Sequence, residues 1–107
     1  MNPTQRLLRE PPEAFRRALA GLHQDINYVL EAGATMAELI AKSAYGVDQK
    51  ALLKYVDQLL SDRMIDPTDL RALFNRHCSA WGIQTSGARA LFEDVRDVLR
   101  KELRVND

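Results

Sequence analysis

The chain has 107 residues, 46% of them hydrophobic and 28% charged, and its fifteen Lys and Arg balance fifteen Asp and Glu. That length supports one core burying roughly 60–70% of the surface the unfolded chain exposes, and the composition excludes disordered and collagen-like chains. Charge is also matched locally, with four of each sign over 1–33, four over 34–65, two over 66–83 and five over 84–107, and a pI near 6.7 sets the chain apart from proteins that carry a basic stripe for nucleic acid.

Residues 1–11 read as an N-terminal arm with room for a helical turn around Leu7 and Leu8, closed by Pro11-Pro12. Residues 12–107 read as a single helical bundle domain. From Pro12, the residues Phe15, Ala18, Leu19, Leu22, Ile26, Val29 and Leu30 step by three and four, the period of one buried helix face. Gly33 stands where a left-handed C-cap would end that helix.

Thr35-Met36-Ala37-Glu38 predicts a capping box. A short helix should follow, with Leu39, Ile40, Ala44 and Tyr45, and stop at Gly46. Asp48 is then placed to cap a longer helix whose apolar side carries Leu52, Leu53, Val56, Leu59, Leu60 and Met64. Asp66-Pro67-Thr68-Asp69 restarts the chain with an N-cap acid, proline at the first helical position and an acid in the first turn. The stripe Leu70, Leu73, Phe74, His77, Cys78 and Trp81 closes at Gly82. After a linker over 83–87, with Thr85 or Ser86 as cap, a last helix should run to about Arg104 and bury Ala88, Leu91, Phe92, Val95, Val98, Leu99 and Leu103. No segment alternates apolar and polar residues with β-branched enrichment. The expected fold is all-α: a single-domain bundle of four longer helices and one short one, without a β-sheet.

Arg-Ala-Leu-Phe occurs twice, at 71–74 and 89–92. Glycines between the copies keep them off one rigid helix, and the flanks differ. Both copies read as core anchors through Leu and Phe, with Arg71 and Arg89 turned to solvent.

Catalysis finds little support. Carboxylates are dispersed as caps and charge-pair partners, no glycine-rich phosphate loop is present, and Cys78 falls on an apolar stripe where burial quiets a thiol. His77 adjoins Cys78, but adjacent helical residues diverge by about 100°, and a closed zinc site needs four ligands. His23 stands apart. The expectation is a non-enzyme without cofactor or metal. The lone cysteine, the absence of a signal-peptide core in the first twenty residues and the absence of a membrane-length apolar run point to the cytoplasm.

Two surfaces offer themselves to partners. Arg96, Arg100 and Arg104 recur every four residues and form one row of guanidiniums, either crossed by ion pairs from Glu93 and Asp97 or free to grip an acidic protein. Tyr55, with Tyr45, flanks the loop at Gly46, its phenol expected to be wet. The wide apolar sector of the 48–64 helix could serve a core and a partner together. The leading expectation is a small regulatory or adaptor protein that binds another protein, with homodimerisation included. An immunity-type inhibitor or an enzyme accessory subunit fits the same build.

Thr35 to Ile65, TMAELIAKSAYGVDQKALLKYVDQLLSDRMI, resembles the helix-turn-helix core of winged-helix transcription regulators. The likeness rests on the capped A-E-L-I helix, the Gly46-Val47 turn, and Leu52, Val56 and Leu59 at buried positions before Met64-Ile65. It implies DNA binding, with Gln49, Lys50 and Lys54 facing the major groove. Leu53 would share that reading face, and a further helix replaces the strands of a wing.

Overall fold

The computed structural model describes residues 2–20, 22, 35–43, 49–78 and 82–103. Among them all regular structure is helical, as the periodicity requires: α1 (Pro3–Arg9), α2 (Glu13–Ala20), α3 (Met36–Ser43), α4 (Gln49–Ser61), α5 (Pro67–His77) and α6 (Thr85–Leu103). None of these helices is long and apolar enough to cross a membrane.

Helix starts are written locally. Thr35 and Glu38 form the expected capping box: the Glu38 N–H donates to Thr35 Oγ1 at 3.1 Å and the Thr35 N–H to Glu38 Oε1 at 3.2 Å. Asp66 and Asp69 form a second one, at 2.9 and 3.1 Å, with Pro67 in the first turn. The arm is more ordered than one turn. Asn2 caps α1 by accepting from the Gln5 N–H at 2.8 Å, and Pro3 opens the helix.

Helix ends depart from the periodic pattern in three places, each for an identifiable cause. α2 stops at Ala20, and Leu22 lies outside it, its N–H bonded to the Leu19 carbonyl. Gly21, next in sequence after Ala20, has the lowest helix propensity short of proline. The expected continuation through Ile26, Val29 and Leu30 to Gly33 lies outside the described residues. α4 ends at Ser61, not Met64: the Asp62 carboxylate takes the Met64 N–H at 2.8 Å and the Asp62 carbonyl takes the Ile65 N–H. This local turn competes with the helix. Met64 is consequently 77% exposed, and Ile65 is buried in the core instead. α5 ends at His77, with Cys78 extended as its C-cap. The Asn75 side chain ties the following chain back by bonding both the N–H and the carbonyl of Ile83. Trp81, Tyr45, Gly46, Asp48, His23 and Arg104 fall outside the described residues.

α6, the longest of the described helices, packs against α3, α4 and α5, while α2 lies against the same three and α1 rests on α4. Phe15, Phe74 and Phe92 are fully enclosed with Leu19, Leu52, Leu59, Leu70 and Leu99. Complete burial of one such side chain contributes about 1.5–3 kcal/mol. The Phe15 ring is met edge-on by Tyr55 at 5.1 Å, His77 at 6.0 Å and Phe92 at 6.3 Å. Leu91, Val98 and Leu103 are only half-buried at the edge of this core.

Three helices borrow their last hydrogen bonds from elsewhere. The final four carbonyls of a helix lack internal partners. At the end of α1, the Leu7 carbonyl accepts from the Tyr55 hydroxyl and the Leu8 carbonyl from the Arg76 guanidinium. Gln49 Nε2 reaches Ala41 of α3 at 3.1 Å, and Arg89 reaches Leu60 of α4 at 3.2 Å. Thr4 adds a 2.6 Å bond to Asp62, so α1, which buries no residue fully, is held by these polar contacts together with Leu7 and Leu8 packed against the core. No buried side-chain nitrogen or oxygen among the described residues lacks a partner.

Candidate functional site

Six side chains of α4 enter the core: Leu52, Leu53, Tyr55, Val56, Leu59 and Leu60. At 100° per residue they fill a sector of roughly 160°. The rest of the helix forms an outward ridge of Lys50, Lys54, Gln58 and Ser61, spaced by three and four. A groove runs along each flank of that ridge. On one side the end of α6 supplies Leu103, which with Leu53 makes an apolar floor beside Lys50, Lys54 and Asp57. On the other, α1 supplies Arg6 and Leu7 opposite Tyr55 and Gln58.

The charges of the two flanks differ in how they are spent. Arg6 faces Glu10 at 3.6 Å on α1. Asp57 takes a guanidinium nitrogen of Arg100 at 3.4 Å, which ties α4 to α6. Lys50 and Lys54 are exposed and form no ion pair among the described residues. With the carboxylate of Asp57 engaged by Arg100, the described lining of the groove between α4 and α6 keeps two ammonium groups one helical turn apart.

The residues singled out by sequence divide accordingly. Gln49 does not face outward: its amide nitrogen donates to Ala41 and, at 2.8 Å, to Glu102 of α6. The expectation of a wet phenol at Tyr55 is corrected, because the residue is 3% exposed and its hydroxyl is committed to the Leu7 carbonyl. Burial pushes that phenol well above its ordinary pKa, only partly offset by Arg76. Arg96 pairs with its neighbour Asp97 at 3.1 Å and Arg100 with Asp57, so the two described guanidiniums of the arginine row lie partly folded onto the chain itself. Glu93 pairs with Arg89 and not with Arg96. Arg89 is therefore not simply turned to solvent, because it closes the end of α4.

The His77 ring lies against Phe15, and its Nε2 accepts from Arg76 at 3.3 Å. Burial, then Arg76 and Arg16, lower its pKa below 6.5. Cys78 is buried, and no group of three His, Cys, Asp or Glu among the described residues could hold a metal.

Leu103 was legible only as core, and its part in a groove depends on α6 ending beside the ridge of α4. The Asp57–Arg100 pair spans 43 residues, and no local spacing signals it. Against protein families, curated proteins and solved structures alike, the chain finds no match.

Proposed function

We propose that this chain is a small non-enzymatic regulatory or adaptor protein of the cytoplasm that binds another protein through the outer face of α4. The observation that carries this reading is the groove between α4 and the end of α6, with an apolar floor of Leu53 and Leu103 and, at its rim, Lys50 and Lys54, which form no ion pair among the described residues. Apolar surface bordered by polar residues is the composition of a recognition site. The ridge favours a protein over duplex DNA. Two lysines on this ridge can neutralise few phosphates, and phosphate contacts dominate affinity for DNA; Gln49 is committed to Ala41 and Glu102, and α5 follows where a wing would stand. The buried Cys78 suits a reducing compartment.

A photo-crosslinking residue at Gln58, compared in the producing cell with one at Arg71 on α5, tests the reading. A discrete heavier adduct from position 58 and none from position 71 is expected. An adduct at twice the mass of the chain would make the partner a second copy. Equal or absent labelling at the two positions would remove α4 as the binding face.

A further inference from the structure

We infer that the groove between α4 and the end of α6 receives an acidic amphipathic helix of about three turns, presented by the protein partner; this deepens the reading above and rests on it. The length follows from the ridge. From Lys50 to Ser61 there are eleven steps of 1.5 Å, roughly 16 Å, which a segment of about eleven helical residues spans.

The lining sets the chemistry. Leu53 and Leu103 form the floor, and the methylene stems of Lys50 and Lys54 extend it while their ammonium groups stay in water. A helix laid there would present apolar residues at i, i+3 or i+4, and i+7, the usual code for a helix in a groove.

The sign of the charge follows from what is already paired. Asp57, the carboxylate of this groove, is held by Arg100 across α4 and α6. Lys50 and Lys54 form no ion pair among the described residues, and they stand four apart on one helix. Two acids spaced i and i+4 on the partner would face both ammonium groups at once. Residues at that spacing are surface neighbours on both helices, about 5–6 Å apart. The far end of the ridge, Gln58 and Ser61, is neutral and asks only for hydrogen-bonding side chains. A strongly acidic segment would gain nothing there, so the partner helix should be acidic at one end and apolar along one stripe.

The test is selection of displayed fourteen-residue helix-forming peptides on the immobilised full-length chain, followed by fluorescence anisotropy of the leading peptide. The expected peptides carry an Asp or Glu pair at i and i+4 beside an apolar stripe. Their affinity should drop at least tenfold for Lys50→Glu with Lys54→Glu, and a peptide with lysines in place of its acid pair should regain most of that loss on the double variant. Recovery in the swapped pairing cannot come from a misfolded variant. Selected peptides without acids, binding indifferent to the double variant, or no selected peptide would each overturn the inference. So would tight binding of a 20-base-pair duplex at low salt that the double variant abolishes. If selection fails while crosslinking at Gln58 still captures a discrete protein, the binding face stands and its occupant is not an acidic helix. If both fail, the reading of the face falls too.

Discussion

Arg-Ala-Leu-Phe stands on α5 as residues 71–74 and on α6 as residues 89–92, and the copies can be compared position by position. The phenylalanines are equivalent, Phe74 at 0% and Phe92 at 1% exposure. The leucines diverge, with Leu73 buried and Leu91 half-buried at the rim. The arginines differ most. Arg71 is exposed and makes no hydrogen bond or ion pair among the described residues, whereas Arg89 joins the Leu60 carbonyl and the Glu93 carboxylate. The same four residues thus fix which side faces inward. What the outward side is worth depends on which helix end passes nearby.

The largest effects should come from the shared half of the word. Phe74→Ala and Phe92→Ala should each destabilise the fold by about 3–5 kcal/mol in urea unfolding. A loss under 1 kcal/mol at either would show that the two anchors are not equivalent. The unshared half should give less. Arg89→Ala removes the bond to Leu60 and should cost about 1 kcal/mol, read as a lowered urea midpoint at constant slope.

The α5 copy also has a titrating neighbour, His77, one turn beyond Phe74. Its folded pKa lies below its ordinary 6.5, so between those values the unfolded chain binds more protons than the folded one. The contribution of the neutral ring is complete above pH 6.5 and is lost as the pH falls from there through the folded value. The fall in urea midpoint between pH 7.5 and pH 5.5 should be smaller in His77→Gln than in the wild type, and an identical fall would remove His77 as its source. The smallest effect belongs to Arg71→Ala, expected within about 0.5 kcal/mol of the wild type. Arg71→Ala matching Arg89→Ala would dissolve the distinction between the copies.

Helix starts and helix ends were unequally legible in this sequence, and the reason is distance along the chain. Both N-terminal boxes, Thr35 with Glu38 and Asp66 with Asp69, close over three residues, so their spelling is local and visible. Periodicity placed most of the core, from Phe15 to Leu99, because burial of one face needs only the helical repeat. The bonds at the ends of α1, α3 and α4 come from residues 48 and 68, 8, and 29 positions away respectively. No local pattern marks Tyr55, Arg76, Gln49 or Arg89 for that work. The same limit governed the candidate site. The helix-turn-helix resemblance turns Gln49, Lys50 and Lys54 outward; the two lysines are exposed on α4, while Gln49 is tied to Ala41 and Glu102. The pairing of Asp57 with Arg100, which leaves those cations without an ion pair among the described residues, appears only when α6 is laid across α4.

Borrowed helix ends also make some elements depend on others. The first turns of α3 and α5 are capped by their own residues. The last turn of α4 takes a bond from Arg89 of α6, and that of α3 one from Gln49 of α4. α1, at seven residues too short to persist alone, relies on Tyr55 and Arg76, which two other helices position. Because those two side chains hold main-chain carbonyls, α1 is fastened partly by its backbone, and its side chains add the Thr4 bond to Asp62 and the packing of Leu7 and Leu8 on the core.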